Sequence, residues 1–108
     1  MEHPDLWKIV RIETKPHGTL FKVFSSFYGG YLGSDAWKIS SRIKTIEDQG
    51  TQYVATTQSG NRYSLIKGNE GFSGFGRNVF EQYQGDLANS GLGSLEESSV
   101  KEFYEKRS

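Results

Sequence analysis

The chain has 108 residues, 34% of them apolar, with 13 glycines, no cysteine and a formal net charge of zero. Its length predicts one domain over residues 1–108. The lack of cysteine excludes a disulfide framework, a cysteine zinc site and a cysteine nucleophile. It also fits a reducing compartment, so we expect a cytoplasmic protein. No apolar run reaches the roughly 20 residues that cross a bilayer, so we expect no membrane partner.

The first predicted strand, residues 6–14, carries apolar side chains on both of its faces. Trp7 and Ile9 lie on one face, whereas Val10 and Ile12 lie on the other. A strand of this kind is typical of a sheet that is covered on both sides.

The next elements alternate strands with glycine-containing turns. A proline-glycine turn leads to a second predicted strand, residues 19–26. Residues 27–35 are rich in rings and glycines, and they predict either a bent strand or a loop packed by its own aromatics. A third strand is predicted over residues 36–46, with Trp37 near its start and a bulge near Lys44.

Two hairpins follow, and they are the clearest local signals in the chain. Glycine-containing turn sequences interrupt segments rich in β-branched and aromatic residues. We expect Trp37 and Tyr63 to face a common core from paired strands. The predicted turns lie at residues 48–50 and 59–61, and the predicted strands lie at residues 51–57 and 62–66.

The last third of the chain predicts less regular structure. Residues 68–78 contain several glycines and predict an exposed loop. Residues 79–83 fit a sixth strand and a helical turn equally well, and residues 85–93 are typical of a linker. A serine and a glutamate at capping-box spacing then predict a C-terminal helix over residues 94–107, which docks through Phe103 and Tyr104.

Together these elements predict a mainly β fold. We expect an antiparallel meander bent into a small SH3-like or OB-like barrel, with one C-terminal α-helix over an opening. The alternative is a two-layer α+β arrangement with the helix across one face of the sheet. The order of residues 36–66 loosely resembles hairpins in short proteins of bacteria and their phages. That resemblance covers under a third of the chain and includes no functional motif.

No motif for catalysis, metal binding or nucleotide binding is present. The fragment Gly74-Phe75-Gly76 begins a dinucleotide-binding pattern, but Val79 stands where the third glycine belongs. The same fragment matches the RNA-recognition motif only in part. His3 and His17 are the only histidines, and they are too far apart for the usual clustered ligand spacing. We therefore expect a protein that is not an enzyme, with no catalytic residue, no metal and no cofactor.

The positive charges suggest a nucleic-acid interface as the second functional hypothesis. Residues 1–68 carry a charge of +3 and residues 69–108 carry −3. Alternate positions on a strand lie about 6.8 Å apart, close to the phosphate spacing of a single strand. This hypothesis predicts weak binding of single-stranded nucleic acid, with loop aromatics stacking on bases. The basic residues of this predicted strand face are Lys38, Arg42, Lys44 and Arg62.

Protein binding is the first functional hypothesis, and the glycine loop supplies its predicted site. Phe72 and Phe75 offer apolar anchors three residues apart, and Arg77 adds a donor that suits carboxylates. A long loop presented by a rigid hairpin is a common binding element. We therefore expect a non-enzymatic protein-binding module, and one concrete form is a phage or mobile-element protein that blocks a host complex.

Overall fold

The computed structural model describes residues 1–29 and 35–106, and this part of the chain is mainly β, as predicted. Its helices are α1 (Gly74–Ser90) and α2 (Val100–Lys106), and a short 3-10 helix occupies Lys67–Asn69. Its strands are β1 (Leu6–Thr14), β2 (Gly18–Phe27), β3 (Ala36–Ile39), β4 (Ile43–Asp48), β5 (Gln52–Thr57), β6 (Arg62–Ile66) and β7 (Gly93–Glu97).

The strands form two antiparallel sheets. One sheet has the order β3-β2-β1-β7, and the other has the order β4-β5-β6. The predicted barrel does not close, because β4 pairs with β5 but not with β2 or β3. Instead, the two sheets bury their facing sides against each other.

The third predicted strand, residues 36–46, is in fact two strands in different sheets. The break lies at Ser40, whose backbone N–H donates to the Val23 carbonyl at 2.9 Å. The Ser40 hydroxyl accepts from the Val23 N–H at 2.8 Å, so this serine satisfies both backbone groups of Val23. The chain leaves the four-stranded sheet there and enters β4. The predicted bulge near Lys44 is confirmed as a register shift against β5 between Ile43 and Thr45.

Strand β1 is buried on both faces, as its sequence predicted. Trp7 and Ile9 point into a cluster between the two sheets, and each is at most 1% exposed. Val10 points the other way, into a second cluster against helix α1. The molecule therefore has three layers, with the four-stranded sheet in the middle.

The prediction that Trp37 and Tyr63 face a common core is wrong. Tyr63 is 1% exposed and belongs to the cluster between the sheets. Trp37 is half-buried on the opposite side of the four-stranded sheet, where its ring stacks on Phe24 with centroids 5.8 Å apart. The two side chains lie in different clusters because the chain changes from one sheet to the other at Ser40. The turns at Gly50 and Gly60 are confirmed, with φ values of 89° and 91°.

Helix α1 occupies much of the predicted loop and linker. It begins at Gly74, inside the predicted loop of residues 68–78, and it includes all of residues 79–83. It then continues to Ser90, so the prediction of a linker over residues 85–93 is wrong. The Ser73 hydroxyl caps its start by accepting from the Gly76 N–H at 2.9 Å. Gly91 ends the helix in the left-handed conformation, with φ of 72°.

The predicted helix over residues 94–107 is wrong in its first half. Residues 93–97 form β7, which pairs with β1 and places Leu95 opposite Ile12. Helix α2 starts only at Val100, and the Ser99 hydroxyl accepts from the Glu102 N–H at 3.0 Å near its start. The predicted docking through Phe103 is confirmed, since this ring is 2% exposed.

Helix α2 is also held to the sheets by polar contacts. Arg11 donates to the Glu102 carboxylate at 2.7 Å, and the Ser98 hydroxyl donates to the same carboxylate. These bonds, led by that from Ser98, lower the pKa of Glu102. The Tyr104 hydroxyl donates to the Ile46 carbonyl at 2.7 Å.

Residues 30–34 of the segment predicted to be a bent strand or a packed loop lie outside the described residues. Within the described part, neither helix is both long and apolar enough to span a membrane.

Trp7→Ala should lower the free energy of unfolding by about 3–5 kcal/mol, as expected for a fully buried large ring. The Trp7 indole N–H also donates to the Ile66 carbonyl at 2.7 Å, and this bond disappears with the ring. Trp37→Ala is the matched comparison, and its loss should be about 1–2 kcal/mol because that ring is only half-buried. Urea unfolding measures both values, and equal losses would contradict this assignment of the two tryptophans.

Glu102→Gln should destabilise the protein at neutral pH by about 1 kcal/mol, the size typical of a partly exposed ion pair. Because the folded-state pKa of Glu102 is lowered, its contribution is present above the unfolded pKa. It is lost as pH falls through the folded-state pKa. The difference from the parent should therefore be largest above the ordinary glutamate pKa of about 4.3 and should shrink as pH falls below it. Urea unfolding at several pH values tests this, with Glu105→Gln as the exposed control on α2.

Candidate functional site

A groove runs beside helix α1 on the surface of the four-stranded sheet. The helix lies closer to β7 than to β3, and Gln84 reinforces this placement by donating to the Leu95 carbonyl at 2.9 Å. The β3 side is therefore left partly open. Two neighbouring cavities of about 330 and 420 Å³ lie there, and Tyr83 and Asp86 line both of them. We call this feature the α1 groove.

One side of α1 carries an apolar stripe. Two of its members, Val79 and Tyr83, line the α1 groove, and Phe75 lies one helical turn before Val79, next to that lining. Phe75, Val79 and Tyr83 are spaced four residues apart, so they follow one another along the same side of the helix. Phe75 is 44% exposed and Tyr83 is 50% exposed, whereas Val79 is half-buried. Exposed rings aligned in this way form a continuous surface.

Ring contacts with the core hold the aromatic side chains of the α1 groove in place. The Tyr83 ring meets the Trp37 ring edge-on, with centroids 5.4 Å apart. Trp37 in turn stacks on Phe24, which is 1% exposed. The groove wall is therefore anchored to the core, which limits the entropy that its rings lose on binding.

The polar groups of the α1 groove are few. Asp86 lines both cavities, Gln82 lines the smaller one, and Lys22 and Ser90 line the larger one. The rest of the larger cavity is lined mainly by apolar side chains, namely Ile12, Ile39, Leu87 and Leu95. Such a surface suits an apolar ligand with a small number of polar contacts.

The three residues predicted to bind a protein are not equivalent in the structure. The Phe72 ring packs against Phe24 and Phe80, with centroids 5.3 and 4.9 Å away. Arg77 lies over the Phe72 ring at 4.8 Å and is 3.7 Å from the Glu97 carboxylate. Phe75 is 44% exposed and is the exposed apolar side chain of the set, while the Arg77 side chain is 50% exposed.

Phe75 and Arg77 also face different sides of α1, because residues two apart on a helix do not share a face. Phe75 therefore belongs with Val79 and Tyr83 rather than with Arg77. Trp37 and Tyr83 line the groove, although neither was predicted from the sequence as a binding residue. The spacing of Phe75, Val79 and Tyr83 was the available signal, but the glycines around it indicated a loop.

The predicted basic strand face is divided among several elements. Lys38 lies on β3 and pairs with Glu2 at 3.1 Å, and this contact raises the pKa of Lys38. Arg62 lies on β6, at the far edge of the other sheet from β4. Only Arg42 and Lys44 line a common cavity. The prediction of one basic stripe along a single strand is therefore wrong, because residues 36–46 do not form one strand.

The loop aromatics are also separated from that pair of cations. Phe72 packs on the α1 side of the four-stranded sheet, whereas Lys44 lies on β4 of the three-stranded sheet on its other side and Arg42 directly precedes that strand. Stacking of bases on these rings next to these cations is not supported by the geometry. In residues 1–29 and 35–106, no three His, Asp or Glu side chains are grouped so that they could hold a metal ion.

One glycine of α1 is needed for close packing of the helix against the sheet. A Cβ added to Gly76 would lie 2.6 Å from the Ser26 hydroxyl and 3.1 Å from that of Ser73. Gly76 therefore allows the first turn of the helix to approach β2 closely. A Cβ at Gly85, in the same helix, would meet nothing within 4 Å.

Comparison with protein-family models, with curated proteins and with solved structures gives no match for this chain. The candidate site therefore rests on the geometry and chemistry of its own residues.

Gly76→Ala should destabilise the protein by about 1–3 kcal/mol, because the new methyl group overpacks the contact with Ser26. Gly85→Ala should instead stabilise it by about 0.5–1 kcal/mol, since alanine favours a helix and has free space there. Thermal unfolding of both variants measures the difference. A stabilised Gly76→Ala protein would contradict the close approach of α1 to β2.

Proposed function

We propose that this chain is a non-enzymatic protein-binding module whose partner docks in the α1 groove. The observation that carries the proposal is the row of Phe75, Val79 and Tyr83 beside Trp37. Rings of this type dominate the binding energy of protein interfaces, especially where they line a preformed pocket. Phe75, one of the three binding residues predicted from the sequence, remains a proposed contact for the partner. Trp37 and Tyr83 are proposed as contacts instead of Phe72 and Arg77.

The chemistry of the α1 groove suggests the kind of partner. Its long, mainly apolar lining suits a segment with apolar side chains at helical spacing, such as one face of an amphipathic helix. Asp86, between the two cavities, suits a lysine or arginine on that segment. A partner with a matched basic residue would gain orientation as well as affinity.

We infer that the chain meets its partner in the cytoplasm. A chain without cysteine suits that reducing compartment. One concrete form is a small bacterial or phage protein that occupies a docking surface of a host complex and so blocks it. Binding alone is enough for that activity, and it requires no cofactor.

A photoreactive benzoylphenylalanine in place of Tyr83 should crosslink the chain to a protein in cell lysate, and nuclease treatment should leave the product unchanged. The same group in place of Leu92 is the control, because Leu92 is 67% exposed but lies beyond the end of α1. The crosslink yield from position 92 should be far lower than the yield from position 83. Mass spectrometry identifies the product and distinguishes a foreign partner from a second copy of this chain.

A second variant tests the energetic role of the α1 groove. Phe75→Ala should reduce the crosslink at position 83 about tenfold, a loss typical of an interface ring, with an unchanged melting temperature. Equal crosslinking from positions 83 and 92, or products that nuclease removes, would contradict the proposal.

A further inference from the structure

A second groove lies on the other side of the four-stranded sheet from α1. The hydrogen bonds between Ser40 and Val23 hold the chain just before β4 next to β2, but β2 and β4 do not pair with each other. The space between them is a cavity of about 430 Å³, and α2 contributes Phe103 and Lys106 to its lining. We call it the β2–β4 groove.

Both strands of the β2–β4 groove present an edge to it. Strand β3 covers β2 only over residues 24–27, so the first half of β2 pairs with β1 alone in the described part of the chain. Strand β4 pairs with β5 on its other side and with no further described strand. Exposed edges of this kind are ready templates for an added strand.

The backbone of β2 is oriented for such an addition. The Val23 N–H and carbonyl both bond to Ser40, pointing away from β1. Strand geometry repeats every second residue, so the N–H and carbonyl groups of Phe21 and Thr19 point in the same direction, into the groove. This stretch of edge is about 7 Å long, enough to pair with a segment of three residues.

The side chains around the β2–β4 groove give it a positive charge. Arg42, Lys44 and Lys106 line it, and no aspartate or glutamate of residues 1–29 and 35–106 does. Among the described residues, none of the three has an acidic partner within salt-bridge distance. The nearby Glu102 carboxylate is bonded to Arg11 and Ser98, and the charge of Lys106 contributes to the lowering of its pKa.

The lining also contains apolar side chains, Phe21, Ile43 and Phe103, which are 6%, 4% and 2% exposed. The two phenylalanine rings are too deeply buried to stack on bases, which is what binding of single-stranded nucleic acid normally requires. An edge of backbone donors and acceptors beside three cations fits a peptide better.

We propose that the β2–β4 groove binds an acidic peptide segment in an extended conformation, which adds as a strand to the free edge of β2. Main-chain bonds to Thr19 and Phe21 supply affinity, and acidic side chains at alternate positions meet the three cations. The site shares no residue with the α1 groove, so it does not depend on the function proposed above.

Fluorescence anisotropy with a labelled Glu-Val-Glu-Val-Glu-Val peptide tests the proposal. The peptide should bind, and the double variant Arg42→Glu, Lys44→Glu should weaken it at least tenfold. Arg62→Glu with Lys101→Glu is the control, because it makes the same charge change at exposed residues outside the groove. That control should change affinity less than about threefold, since distant surface charges are screened by salt.

A second form of the peptide tests the strand pairing itself. Methylation of alternate backbone nitrogens removes their donors without changing charge, and it should weaken binding at least tenfold. The variant Tyr83→Ala should bind the acidic peptide normally, which separates this site from the α1 groove. Melting temperatures should show that every variant remains folded.

Three outcomes would overturn the proposal. One is no binding of the acidic peptide at about 1 mM, the weakest affinity of interest. Another is tighter binding of an oligothymidylate that the Arg42→Glu, Lys44→Glu variant abolishes, since the groove would then bind nucleic acid. The third is peptide binding that neither charge reversal nor backbone methylation weakens.

Discussion

The burial of β1 on both faces is the constraint on which the rest of this molecule depends. Trp7 and Ile9 need one apolar layer, and Val10 and Ile12 need another on the opposite side. Each square ångström of apolar surface left in water would cost about 25 cal/mol, so neither layer is optional. The three-stranded sheet supplies the first layer and α1 the second, while β7 returns from far along the chain to cover the edge of β1.

Both proposed binding sites arise where this three-layer packing is incomplete. A helix is about 10 Å across, whereas the outer strands of a four-stranded sheet are about 14 Å apart, so α1 alone cannot cover the sheet. Its position near β7 leaves the α1 groove beside Trp37. On the other side, the failure of β2 and β4 to pair leaves a gap with free strand edges. The first opening is mainly apolar and the second is cationic, so they suit different ligands.

The sequence predicted the mainly β class and the individual strands from β1 to β6 more successfully than the elements after residue 68. The turns at Gly50 and Gly60 depend on local backbone conformation, which glycine alone adopts at low cost. Helix α1 was missed because its glycines lower helix propensity by about 1 kcal/mol each. Its packing through Phe80 and the close approach at Gly76 offset that penalty. Similarly, β7 resembles a helix start in sequence, but pairing with β1 satisfies its backbone instead.

By itself, then, the sequence determined the features that depend on neighbouring residues: the two-faced pattern of β1, the tight turns, the bulge near Lys44 and the apolar docking of Phe103. Only the tertiary structure decided which surfaces are free. Phe72, Phe75 and Arg77 are close in sequence, yet Phe72 packs against Phe24 and Arg77 pairs with Glu97, while Phe75 is an exposed ring. The β2–β4 groove could not be predicted either, since it exists only because Ser40 moves the chain from one sheet to the other.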